Sequence, residues 1–179
     1  MFEFYKALIL IVDALIYFPG SIQDFREREV SDVYLYLPYF SYLALFFLYG
    51  IKILFLTLLM VTVTLPLIYY MYKKNLLAEG DLIGFPSVFS QFFAFYLLAT
   101  YLALVTSIDL LAVYLRKGGL KVSKDKLNSE DLSKWLKSGD EVYQYGVPLI
   151  GYVYLSCFLS DLTYLALVLI FHLNFLPFL

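Results

Sequence analysis

The chain has 179 residues, 62% of them hydrophobic and 16% charged, with 13 basic and 15 acidic side chains. Soluble domains are usually about 45–50% apolar and about 25% charged, so one core cannot hide this much apolar surface from water, whereas a bilayer can act as its solvent. That balance excludes a disordered chain and a basic nucleic-acid-binding domain, and the single Cys157 and single His172 exclude an internal disulfide, a cysteine-rich zinc site and a two-histidine zinc protease motif.

A spanning helix needs roughly 20 mostly apolar residues. The first candidate, Phe4–Ile22, carries one acid, Asp13, and is too long and too acidic for a signal peptide. Val33–Ile51 is an uncharged second span. Gly50 and Lys52 mark a tight turn, and Ile53–Tyr72 follows as the third, with a kink expected at Pro66. Leu82–Ile108 has no charge, and a single helix of that length would overshoot a bilayer. A short fourth helix after Asp81, a turn near Pro86–Gln91 and a full span over Phe92–Leu115 fit better. Gly146–His172 is one last span interrupted by Asp161, or two short segments.

Lys and Arg collect in cytoplasmic loops near span ends. Arg26 and Arg28 follow the first span, Lys73 and Lys74 the third, and seven of the 13 basic residues lie between Arg116 and Lys137. These clusters share one side only if the chain crosses twice between Lys74 and Arg116. The expected fold is therefore an all-α polytopic membrane protein of about six spans, N-terminus outside, with a short fourth helix and a small cytoplasmic loop region. Residues 1–115 hold the first five helices, 116–145 a cytoplasmic connector and 146–179 the C-terminal segment. In the connector, Asn128 or Ser129 is expected to cap a short helix with Leu132, Trp135 and Leu136 on one face. This segment reads either as a solvated linker with a greasy patch on the membrane surface or as a substrate-contacting flap.

Ionisable groups at membrane depth are costly and point to function. Asp24 ends the first span and Asp81 opens the fourth helix, at similar depth on the cytoplasmic side. Two carboxyls held together cannot both ionise cheaply, so they share a proton, and such a pair can activate water against a carbonyl. Asp13 lies eleven residues before Asp24, about 16 Å deeper at 1.5 Å per residue, which favours Asp24 as the partner of Asp81. Asp109 is expected to reach the surface or pair with Arg116, and Asp161 to sit near a helix break or the far interface. Cys157 and His172 read as packing and interfacial residues.

Three short stretches then resemble a known family. Asp24-Phe-Arg-Glu-Arg28-Glu-Val30-Ser31-Asp32 resembles the first motif of the type IV prepilin and archaeal preflagellin peptidases, an aspartate followed by arginine and a β-branched residue. Ala78-Glu79-Gly80-Asp81 is similar to their GxGD motif, with Ala78 in place of the first glycine. Tyr145-Gly146-Val147-Pro148 is similar to the Val-Pro that begins the last span in the archaeal branch. Ser31 replaces a usual proline, and Leu82 and Ile83 stand where a basic residue often follows the second aspartate. The resemblance implies a membrane aspartyl endopeptidase of the shorter archaeal type, without the methyltransferase domain of bacterial members. Asp24 and Asp81 would be catalytic, Arg28 and Gly80 would support the motifs, and no metal or organic cofactor is implied. It further implies multi-pass placement in the cell membrane with a cytoplasmic site. The expected partners are the lipid bilayer and membrane-inserted pilin-like or archaellin precursors, with no nucleic acid. Glu79, Glu27, Glu29 and Asp32 flank the pair and could bind the basic residue before the cut. Alternatively, Glu27, Glu29 and Asp32 pair locally with Arg26 and Arg28. The rival functions are a small proton-coupled membrane carrier and an inactive relative serving as an assembly subunit.

Overall fold

A computed structural model describes residues 2–49, 65–66, 68–73, 79–87 and 95–171, with single positions at 51, 55 and 62. Most of the expected third span, together with Lys74, Ala78 and His172, lies outside the described residues. Described in full are α1 (Phe2–Glu27), α2 (Asp32–Tyr49), a short α3 (Glu79–Ser87), α4 (Phe95–Lys117) and α5 (Leu149–Phe171). Between α4 and α5 stand three strands, β1 (Lys121–Ser123), β2 (Trp135–Lys137) and β3 (Val142–Tyr145). The protein is thus mostly helical. Stretches of three helices, Leu8–Glu27, Leu97–Lys117 and Leu149–Leu167, are long and apolar enough to cross a membrane.

The short helix at Asp81 and the full span after it are both present, α3 ending at Ser87 and α4 beginning at Phe95. The last segment is a single helix that runs through Asp161 without a break, which settles the choice between one helix and two.

The main seam of the molecule is α1 against α5. Tyr17 meets Tyr154 edge to face, with ring centroids 5.0 Å apart, and Phe18 meets Phe158 at 4.9 Å. Gly20 makes the approach possible, because a Cβ there would lie 2.8 Å from the Tyr154 ring. Tyr154 in turn donates its hydroxyl to the Tyr34 carbonyl at the start of α2, 3.0 Å away. Tyr17, Leu35, Leu98, Ile150, Val153, Tyr154 and Cys157 form the buried core, drawn from α1, α2, α4 and α5. Outward-facing Phe40, Leu43, Phe47, Leu104, Ile108 and Leu111 are exposed to the surroundings, as lipid-facing residues of apolar helices are.

The connector corrects one expectation. Residues 121–145 form an antiparallel sheet of strand order β1-β3-β2, with Lys121 opposite Gln144 and Trp135 opposite Tyr145. Leu132–Lys134 is a single 3-10 turn, and the helix expected over Leu132, Trp135 and Leu136 does not form. Period-two geometry wins: Trp135 is 5% exposed and its neighbour Leu136 67% exposed, as alternation across a strand requires. The Trp135 ring meets Tyr145 edge to face at 5.5 Å. Lys117, at the end of α4, ties the connector down by a 2.7 Å ion pair with Asp131. The hydrogen bond from Lys117 is the main reason the Asp131 carboxyl is held below its usual range.

Candidate active site

Helix α1 ends on a residue in left-handed conformation. Arg28 has φ 60°, and its N–H donates to the Asp24 carbonyl at 3.0 Å. Glycine usually fills such a position, since an L side chain there costs about 1–2 kcal/mol. Here the side chain is used. Its Nη2 donates to the Tyr145 hydroxyl at 3.1 Å, and Tyr145 donates onward to Asp109 Oδ2 at 2.9 Å. Nε and Nη1 of Arg28 are buried and have no protein partner among the described residues. Burial raises the Tyr145 phenol above its usual range. The bond from Arg28 opposes that shift and the Asp109 carboxylate adds to it.

Asp24 is buried one turn before this end, and its Oδ2 accepts the Gly151 N–H at 2.6 Å. The first N–H groups of any helix lack internal partners, and they carry the positive end of the helix dipole. In α5 the internal ladder starts where Tyr152 N–H reaches the Pro148 carbonyl at 3.1 Å. Gly151 is therefore a first-turn donor, and Asp24 serves as a cap supplied by another helix. A side chain at Gly151 would place its Cβ 3.0 Å from Asp24 Oδ2, so only glycine leaves this bond undisturbed. Arg28 lies within electrostatic reach of the same carboxyl.

Asp81 is half-buried at the start of α3. That helix packs against α2 and α5. Gly84, one turn after Asp81, is seated so closely on Ile150 that a Cβ would stand 2.6 Å from its Cδ1. Gly80 faces Leu35, with 3.9 Å of room for a Cβ, and Tyr39 donates to the Ile83 carbonyl at 2.7 Å. Asp24 thus meets the first turn of α5 directly at Gly151, while Asp81 lies one turn before Gly84, the residue of α3 that rests on Ile150.

The remaining residues named from sequence are distributed unevenly. Glu27 at the end of α1, Glu29 in the turn and Asp32 at the start of α2 are exposed, and Glu27 accepts a 3.0 Å bond from the Gln23 amide. Glu79 opens α3, and its side chain lies outside the described residues. Asp109 is part-exposed and accepts the Tyr145 hydroxyl of the sheet. Asp161 departs from expectation: it lies within an unbroken helix and is 0% exposed. Sequence reading missed Gly151 and Tyr145, the two residues that hold Asp24 and Arg28. Tyr145 stands in the Tyr-Gly-Val-Pro stretch already quoted, but nothing in that spacing reveals a partner 117 positions away. Among the described residues no three His, Cys, Asp or Glu side chains converge to hold a metal ion. No family model, curated protein or solved structure matches the chain.

Proposed function

We propose that this protein is a multi-pass membrane aspartyl endopeptidase, cutting the short leader from pilin-like or archaellin precursors at the cytoplasmic face. One observation supports the reading. A buried Asp24 is held by a first-turn N–H of α5, and a half-buried Asp81 lies on a short helix whose Gly84, one turn further on, is seated on the neighbouring Ile150. The motif resemblance and the six-span topology belong to this proposal, with Asp24 and Asp81 as the catalytic pair and Arg28 and Gly80 as their supports.

In the proposed reaction one carboxylate takes a proton from water while the protonated partner donates to the scissile carbonyl oxygen. Water oxygen bonds to the carbonyl carbon, giving a tetrahedral diol. Collapse of the diol breaks the C–N bond: the leaving nitrogen takes up a proton from the carboxyl that accepted one, and a diol hydroxyl returns its proton to the other carboxylate. No metal or organic cofactor takes part. The exposed Glu27, Glu29 and Asp32, with Glu79, are proposed to attract the basic residue of the leader, leaving the apolar helix of the precursor to lie among the spans.

A rival reading draws on a different observation. Asp13 and Asp161 are wholly buried far from α5's first turn, as acids in a small proton-coupled carrier would be; Asp24 is then only a helix cap. Co-expression with a panel of pilin-like precursors separates the two. Under the protease reading wild type shortens a precursor, while Asp24→Asn and Asp81→Asn accumulate in the membrane and leave it uncut. Cleavage by either variant at the wild-type rate removes that residue from the mechanism, and no cleavage by wild type across the panel removes the reading.

A further inference from the structure

Asp24 and Arg28 are four residues apart, the spacing at which an aspartate and an arginine on one helix commonly pair. Here each side chain goes elsewhere. Asp24 Oδ2 accepts the Gly151 N–H at 2.6 Å, and the Arg28 guanidinium acts on that carboxyl through its charge alone. Nη2 of Arg28 turns instead to the Tyr145 hydroxyl, 117 positions away in sequence, at 3.1 Å. Its Cζ lies 5.3 Å from the centre of the Tyr145 ring, within the range of a cation–π contact. An arginine with a carboxyl at hand is thus held by a phenol.

That phenol is fixed from several sides. Asp109 of α4 accepts the Tyr145 hydroxyl at 2.9 Å. A carboxylate has no proton to give, so the single phenolic proton points to Asp109 and an oxygen lone pair is left for Arg28. The Tyr145 backbone is anchored at the end of β3, its N–H on the Leu120 carbonyl at 3.0 Å, and Trp135 of β2 packs edge-on to its ring at 5.5 Å. Tyr152, next to Gly151 on α5, stands beside both Asp109 and Tyr145, and its own ring lies 5.1 Å from Phe25. Tyr145 cannot follow the guanidinium toward Asp24 without breaking these contacts.

For a carboxyl that works by exchanging protons, the difference is chemical. A guanidinium bonded to it directly makes one of the strongest charge-assisted contacts and favours the charged form. The same charge held at one remove biases the balance and leaves both forms accessible. We propose that Tyr145 and Asp109 are positioning residues that hold the Arg28 guanidinium beside Asp24 and keep it from pairing with that carboxyl. Their service to catalysis rests on the protease reading, in which Asp24 reacts; the diversion of Arg28 is geometric and is measured without substrate.

Double-mutant cycles on the full chain in detergent test that diversion. The coupling between Arg28→Gln and Asp24→Asn, read from denaturant midpoints, should be weak in the wild-type background. Adding Tyr145→Phe should raise it about twofold or more, because the freed guanidinium then closes on Asp24. Asp109→Leu opens the same clamp from its other end; it should raise the coupling likewise, and it serves where Tyr145→Phe does not fold. Unchanged coupling in the opened clamp overturns the proposal. Precursor cleavage supplies the second arm. Tyr145→Phe should slow it about tenfold, a modest loss for a misplaced group at a reacting centre. In a chain already carrying Arg28→Gln the same change should cost less than about twofold, the usual limit of additivity, since no guanidinium is left to misplace. A merely structural tyrosine would cost the same factor in both backgrounds, and that result also overturns the proposal. If wild type cuts no precursor while the coupling rises as expected, the diversion of Arg28 stands and the protease reading alone fails.

Discussion

The two ends of the α1–α5 seam treat a buried aspartate in opposite ways. At one end Asp24 meets a free N–H in the first turn of α5, and Arg28 stands close by. At the other, Asp13 faces the middle of α5, where every backbone N–H is already spent inside the helix, and one of its oxygens finds no protein partner among the described residues. A helix offers unpaired donors only at its start. Burial alone therefore does not make an acid's surroundings; its position along the neighbouring helix does.

The largest expected effect tests the function assigned to the donor-rich end. Asp24→Asn and Asp81→Asn should each lower precursor cleavage by about 10²–10⁴-fold, the usual worth of a positioned acid or base, measured as processed fraction against time. Asp13→Asn in the same assay should keep most of the activity if the chemistry belongs to one end alone.

Gly151→Ala sharpens the comparison without removing a charge. The new methyl would sit 3.0 Å from Asp24 Oδ2 and 3.1 Å from the Phe25 ring. Overpacking of this kind costs about 1–3 kcal/mol, so both Tm and cleavage should fall. Unchanged cleavage with a lowered Tm would mean that the Gly151 bond is structural only.

Stability should split the ends in the other direction. Asp24→Ala strands the Gly151 N–H and should cost about 1–3 kcal/mol, as orphaned buried donors do. Asp13→Asn strands no backbone donor and should cost under about 1 kcal/mol in the same denaturation assay. Equal losses would show that the difference in donors is not what sets their stability. Tyr145→Phe comes next: removing the hydroxyl between Arg28 and Asp109 should cost about 1 kcal/mol per lost bond, visible as a lower Tm.

The smallest effect lies away from the seam. Asp131 is held below its usual range by Lys117, so its contribution is present above about pH 4, the unfolded value, and is lost as pH falls through the lower folded value. The pair is part-exposed, and Asp131→Asn should lower stability by less than about 1 kcal/mol, with the difference from wild type vanishing in acid.

How much of this was legible beforehand depends on the range of the interaction. Apolar runs marked α1, α2 and α4 within a few residues, and the charge clusters asked for the short helix that appears as α3. The sheet was hidden because its strands are three or four residues long, and Leu132, Trp135 and Leu136 satisfy a helical spacing as well as a turn followed by a strand. Asp161 was read as a break because a charge inside a span is expensive. That expense is real, but α5 runs through Asp161 and buries it among neighbours that no local window contains. Gly151 carries no local mark of its service to Asp24, 127 positions earlier.

Those long separations also govern when the site can exist. The chain emerges from the ribosome from its N-terminus, so Asp24 and Arg28 are made early, while Tyr145 and Gly151 arrive only with the last fifth of the molecule. Until then neither Asp24 nor Arg28 has its bonding partner. A nascent chain halted before residue 151 would carry both aspartates and still lack the turn that holds Asp24, so on the proposed function cleavage waits for α5.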